Sequence, residues 1–148
     1  MASPVSIPTR LGWPGQQEAD LRIHNAKLKL TRPRIALARL LFSKGDRHFC
    51  AEQLHEEVLA SGVEMSLATV YNTLRSFCEA GIIRVLPIGG KPAYFDTDVS
   101  DHQHFYIEGK ADFINTGRLR VSDLPELPAG MEVVKVDIVI RLKPSPKA

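Results

Sequence analysis

Residues 66–81, SLATVYNTLRSFCEAG, leave the chain little conformational choice. Leu67, Val70, Leu74 and Phe77 recur at the spacing that brings side chains to one face of an α-helix, and Cys78 and Ile82 prolong the stripe. Ser66 is a good N-cap, and Gly81 can take the left-handed turn past the end. The opposite face carries Ala68, Thr69, Tyr71, Asn72 and Arg75, with Glu79 as its only acid. Amide and guanidinium groups bind base edges in a major groove, and small apolar groups meet thymine methyls, so this face suits DNA. An ordinary solvated helix surface is the alternative.

The net charge of +2 over 148 residues is too small to mark a nucleic-acid binder, so the distribution of charge has to carry the argument. Residues 22–47 hold Arg22, Lys27, Lys29, Arg32, Arg34, Arg39, Lys44 and Arg47 against the single acid Asp46. Between Asp96 and Asp112 the balance reverses: Asp96, Asp98, Asp101, Glu108 and Asp112 face only Lys110. A polyanion site and a cation site on one chain follow from that asymmetry. Cys50 and Cys78 have no metal-type spacing and fit a reducing compartment. No apolar run reaches the ~20 residues of a membrane span and no signal-peptide core opens the chain, so the expected location is the cytoplasm, with no membrane partner.

Residues 1–16 are Pro-, Gly- and Ser-rich and read as a flexible arm, with Trp13 either docked on a neighbouring element or free for a partner. A first helix is predicted over Gln17–Lys27. A second, capped by Thr31 with Pro33 in its first turn, places Ile35, Leu37, Ala38, Leu41 and Phe42 in a buried stripe. Lys29, Arg32 and Arg34 cluster at its entrance, where they could reach phosphates or a minor groove; a solvated basic turn is the bland reading. A third helix, about Ala51–Ser61, puts Leu54, His55, Val58 and Leu59 on one side, with Cys50 as a poor cap. A thiol there is either redox-sensitive or a quiet buried group. Ile82–Leu86 and Pro92–Phe95 alternate like short strands around a turn that contains Lys91. Helices followed by a small hairpin make a winged helix-turn-helix, whose second motif helix enters the major groove while the wing, tipped by Lys91, lies over the backbone.

Beyond Phe95 the period changes. His104–Ile107 and Ala111–Asn115 read as strands, Ser122–Gly130 as a connector, and Val134, Val136, Ile138, Ile140 and Leu142 as one apolar face of a final strand. Residues 100–142 are too few to bury such a face alone, so the strands are expected to pair with a second copy. The tail at 143–148 reads as loose. His102 and His104 within DHQH project to the same side of an extended segment and can grip one ion, with Asp96 and Asp112 as oxygen ligands. That mixed set favours Zn²⁺, Mn²⁺ or Fe²⁺ over Ca²⁺. An HxH pair alone is a weak signal.

The run AEQLHEEV, SLATVYNTLRSFCEAGII, GGKPAYFD and HQH resembles the ferric uptake regulator family of metal-responsive bacterial repressors, over roughly residues 20–142. The specific part is SLATVYNTL, which that family uses as its recognition helix. The resemblance implies an α+β fold in which an N-terminal winged helix-turn-helix domain (17–96) is followed by a small α/β dimerisation domain (97–142), with metal at the hinge. By that resemblance Tyr71 and Asn72 fall where the family contacts bases or nearby phosphates and Lys29 near a minor-groove contact, while the residues' own chemistry and placement add Ser66, Thr69 and Arg75 to the groove face and Arg32, Arg34 and Lys91 to the backbone contacts. By the same resemblance His48 falls where the family takes a ligand from its DNA-binding domain. Asp96, His102 and His104 match further ligands, with Asp112 a fifth across a gap in the alignment. No cysteine follows the histidines, which excludes a structural Cys₄ zinc. That loss, GDRHF, SDHQH and the ending VDIVIRLK most resemble the iron response regulator branch, which implies haem at His102 and His104.

The implied function is a homodimeric regulator, mainly a repressor, on an AT-rich palindromic operator, answering to iron through haem or a divalent metal. One alternative is a sensor working through protein partners. A metal-dependent hydrolase is the remaining class, but no nucleophile or base lies beside the histidines and no glycine-rich phosphate loop occurs, so no enzyme is expected.

Overall fold

The computed structural model describes residues 16–110 and 112–146, so Trp13 and the rest of the expected arm up to residue 15 lie outside the described residues, while Gln16 already belongs to the first helix. Helices α1 (Gln16–Asn25) and α2 (Arg32–Phe42) come first. Strand β1 (His48–Cys50), α3 (Ala51–Ala60), α4 (Leu67–Glu79), β2 (Arg84–Val85) and β3 (Tyr94–Asp96) complete the first half. Strands β4 (Gln103–Ile107), β5 (Asp112–Gly117) and β6 (Val139–Leu142) form the second.

The capping chemistry works as the sequence implies. Thr31 Oγ1 accepts the Arg34 N–H and Ser66 Oγ accepts the Thr69 N–H, so each helix starts where a hydroxyl replaces a missing intrahelical acceptor. Cys50 stands at the N-cap of α3 with no side-chain cap bond. Gly81 ends α4 at φ 73, a conformation that would strain any side chain.

The core lies among the four helices and one face of the first sheet. Leu37, Leu41, Leu54, Val58, Val70, Leu74 and Phe77 are fully enclosed, and each such burial stabilises the fold by about 1.5–3 kcal/mol. The stripe of α4 is close to expectation, except that Leu67 is only half-buried and Thr73 turns inward, its hydroxyl donating to the Thr69 carbonyl. Two expected core positions differ. Ile35 is half-buried and Leu59 is 46% exposed, because the inner face of α3 runs through Ala51, Leu54 and Val58.

The first sheet has the order β1-β3-β2, antiparallel throughout. Strand β1 has no counterpart in the sequence reading, since three residues are too short to show a period. Its register sets the rest of the molecule: His48 lies opposite Asp96, and Asp96 opposite Arg84, in one row across the sheet. The neighbouring row, Phe49 and Phe95, faces the helices, with rings stacked 5.5 Å apart.

The second sheet has the order β5-β4-β6, with β5 antiparallel and β6 parallel to β4. The predicted final strand is only partly formed: residues 139–142 pair with β4, and 118–138 hold no helix or strand. Four partners from His104 to Ile107 are all that β4 offers on that edge. The apolar face is open at its start, with Val134 94% and Val136 38% exposed, and half-buried at Ile138 and Ile140.

Candidate metal centre and nucleic-acid face

Strands β1, β3 and β4 deliver four side chains to one point. His48 and Asp96 come from the cross-strand row, His102 from the residue just before β4 and His104 from β4 itself. Asp96 Oδ2 lies 3.2 Å from His48 Nε2, 3.0 Å from His102 Nε2 and 3.0 Å from His104 Nε2. All four potential ligand atoms fall within 4.8 Å of one another. The other oxygen, Oδ1, accepts the Asp98 N–H at 2.9 Å, which fixes the carboxylate and turns Oδ2 toward the imidazoles.

His102 sits between two acceptors, with Nδ1 2.9 Å from the Ser100 carbonyl and Nε2 3.0 Å from Asp96 Oδ2. In the tautomer that donates from Nδ1 to Ser100, Nε2 presents a lone pair toward Asp96, an arrangement that a cation between them satisfies. Bonds of about 2.0 Å to a tetrahedral ion put neighbouring ligand atoms about 3.3 Å apart, close to the 3.0–3.2 Å that separates Asp96 Oδ2 from the three imidazole nitrogens. The residues fit a divalent ion taking three nitrogens and one oxygen.

Burial sharpens the site. Asp96 is 1% exposed and His104 3%. Burial opposes ionisation of Asp96, but hydrogen bonding from His48, the Asp98 N–H and His104 overrides it and holds the carboxyl far below its ordinary range. Burial lowers the pKa of His104, and the charges of His48 and His102 add to that, against the opposing pull of Asp96. The uncharged form of His104 is thereby favoured, the form a metal ligand needs.

These shifts set an expected pH profile for the ion-free chain. The folded pKa of His104 lies below the unfolded value of about 6.5, so between the two the unfolded chain binds the extra proton and the fold loses stability as the pH drops below about 6.5. The folded pKa of Asp96 is depressed, so its contribution is present above the unfolded value of about 3.9 and is lost as the pH falls toward the folded one. Urea midpoints measured in chelator should fall between pH 7 and pH 5. A midpoint constant over that range would contradict a buried neutral imidazole.

Two participants went unseen in the sequence. Phe113 of β5 walls the site, with its ring 5.3 Å from His48 and 6.2 Å from His104, and it also packs on Tyr94 and Tyr106, joining the two sheets. Arg84 places Nη2 3.6 Å from Asp96 Oδ2. An alternating apolar residue and a lone arginine carry no motif. Asp112, predicted as a further ligand, is exposed and lies opposite Ile107, at the far end of the ladder from His104. Its Oδ1 accepts the Phe113 N–H, and it stands apart from the cluster because the register of β5 carries it away.

The presumed reading helix presents Ala68, Tyr71, Asn72 and Arg75 to solvent, with Thr69 half-covered. Ser66 and Thr69 bond to each other through their hydroxyls at 2.9 Å. The Tyr71 hydroxyl donates to Glu52, which lowers the pKa of that carboxyl and raises that of the phenol, leaving the ring edge as the free surface. Lys91 and Tyr71 border one shallow recess, so the wing tip lies beside the helix. Lys29 and Arg32 are exposed, while Arg34 donates to the Lys29 carbonyl at 3.0 Å and reaches Ser76 of α4 at 3.5 Å. The basic entrance of α2 is therefore tied to the outer flank of α4.

Residues 25–136, most of the chain, match the family model described as the ferric uptake regulator family. The chain belongs to the ferric uptake regulator family. It is 34% identical over 89 residues to the ferric uptake regulation protein of Pseudomonas aeruginosa, covering 60% of this chain and 65% of that protein. It thus spans slightly less than two thirds of that relative's length. The structure of the ferric uptake regulator from Pseudomonas aeruginosa with manganese superposes with a TM-score of 0.64 at 24% identity, over 85% of this chain and 97% of that one. The Vibrio cholerae ferric uptake regulator gives 0.64 at 21% identity, over 84% and 98%. At those identities the likeness establishes the ferric uptake regulator fold. Among the described residues, no helix is long and apolar enough to cross a membrane.

Proposed function

We propose that the chain is a homodimeric DNA-binding transcriptional regulator, mainly a repressor, whose DNA affinity answers to a divalent ion held by His48, Asp96, His102 and His104. The observation that carries this reading is the convergence of three imidazole nitrogens on one buried oxygen of Asp96. Fe²⁺, Mn²⁺ and Zn²⁺ suit that donor set, and manganese accompanies the Pseudomonas aeruginosa relative of the same fold. A bound ion supplies positive charge that holds the four ligands in one geometry. His48 and Asp96 belong to the sheet beside the helices, and His102 and His104 to the start of β4 and the residue before it, so that geometry fixes how the part up to residue 96 meets the part from 97 onward. An ion that favours one such arrangement shifts the population toward it.

On the DNA side, Arg75 and Asn72 read base edges, the Tyr71 ring packs on a groove wall, Ser66 and Thr69 line the helix start, and Lys29, Arg32, Arg34 and Lys91 meet phosphates. The open apolar face around Val134 and Val136 supports a second copy as partner, which also fits a two-fold operator. The ion is favoured over haem, since His102 and His104 are 7% and 3% exposed and both direct Nε2 at Asp96, leaving neither ring open to a macrocycle.

A gel shift with an AT-rich palindromic duplex, run in chelator, in Mn²⁺ and in haem, tests the proposal. The expected result is a retarded band whose midpoint differs roughly fivefold or more between chelator and Mn²⁺, within the usual range of allosteric coupling. No band in any condition, or superimposable midpoints, would remove the regulator reading.

A further inference from the structure

The row that carries His48 and Asp96 across the first sheet ends in a permanent cation. Arg84, three residues beyond the Gly81 turn that closes α4, is the register partner of Asp96. Its Nη2 lies 3.1 Å from both ring nitrogens of His102, so it rests against the imidazole itself, and it donates to the His102 carbonyl at 3.2 Å. The same nitrogen is 3.6 Å from Asp96 Oδ2, the oxygen on which the three histidines converge. The side chain is 18% exposed and Nε is buried without a hydrogen-bond partner, so among the described residues the polar contacts of the guanidinium are with His102 and Asp96.

We propose that Arg84 is a resident counter-cation that competes with the divalent ion for Asp96 and His102, and so sets the ion concentration at which the centre fills. The proposal rests on the ion-site reading above. A unit positive charge about 4 Å from an incoming divalent ion weakens its binding by roughly tenfold or more even with water-like screening. While the guanidinium neutralises Asp96 the cluster needs no ion. An ion that takes Oδ2 and His102 Nε2 forces the guanidinium outward along β2, whose start is joined to α4 through the short link from Gly81. The competition thus has its mechanical end on the strand that follows the presumed reading helix.

The test is Zn²⁺ titration against a chelating dye for the full chain, Arg84→Met, Arg84→Gln and Arg84→Lys, with circular dichroism confirming that each is folded. Met keeps the apolar length, Gln keeps a donor for the His102 carbonyl, and Lys keeps the charge. The expected result is roughly tenfold or greater tightening in Arg84→Met and Arg84→Gln, and a constant within about threefold of the parent for Arg84→Lys. Unchanged or weaker binding in both neutral variants overturns the competition while leaving the ion site in place. Absence of stoichiometric uptake by all four proteins removes the ion-site reading, and the competition with it.

Discussion

Asp96→Asn should abolish high-affinity uptake of Mn²⁺ or Zn²⁺ while leaving the chain folded. The carboxylate is the one oxygen donor of the cluster, and Oδ2 lies within 3.2 Å of a nitrogen of each of the three histidines. Asparagine preserves the size and can still accept the Asp98 N–H through its carbonyl, which turns its amide nitrogen, a non-ligand, toward the imidazoles. The loss should exceed the roughly 10- to 100-fold that follows removal of an outer-shell partner, because both the ligand and its charge are gone. Equilibrium dialysis against Zn²⁺ at pH 7.5 reads the effect directly. Retention of parent affinity in Asp96→Asn would mean that the ion sits elsewhere and that the four-residue convergence is only a hydrogen-bonded core.

The same substitution should change the acid response. Asp96 is held ionised by hydrogen bonds from His48, the Asp98 N–H and His104 against the cost of burial, so its stabilising effect disappears when the carboxylate does. In chelator, the variant should start from a lower stability at neutral pH and then lose less on acidification below about pH 4. The loss between pH 7 and pH 5 should persist, since it belongs to His104.

How far the sequence could be read depended on how many residues shared a signal. Helix α4 was legible because four apolar residues, a serine cap and a glycine stop agree along a single stretch. Strand β1 was invisible, three residues being too few for a period, yet its pairing with β3 is what brings His48 to Asp96. Resemblance supplied His48 where periodicity could not. The alternation of 134–142 was read as a full strand, but pairing with a partner edge decides strand length, and β4 matches only Val139–Leu142. Asp112 illustrates the same limit: its acid character fits a ligand, while the β4–β5 register, with its irregularity between Gln103 and His104, sends it away. Arg84 and Phe113 belong to no motif, and only cross-strand geometry places them at the cluster.

Arg75→Ala and Tyr71→Ala should each remove specific DNA binding, and the comparison with Tyr71→Phe says why. Arg75 is exposed on the third turn of α4, and Tyr71, at 37% exposure, lies one turn earlier on the same face. A guanidinium lost from a base edge costs about 1–3 kcal/mol per protomer, so a two-fold complex loses roughly twice that, enough to bring specific affinity toward the non-specific level. The Tyr71 hydroxyl is already committed to Glu52, so the ring is what the side chain has to offer a groove. Tyr71→Phe should therefore keep most of the affinity, and Tyr71→Ala should lose it, as measured by fluorescence anisotropy on a labelled palindrome at fixed salt. A phenylalanine variant as weak as the alanine one would show that the hydroxyl leaves Glu52 to bind DNA. Parent-like affinity in both alanine variants would transfer the reading role to another element of the chain.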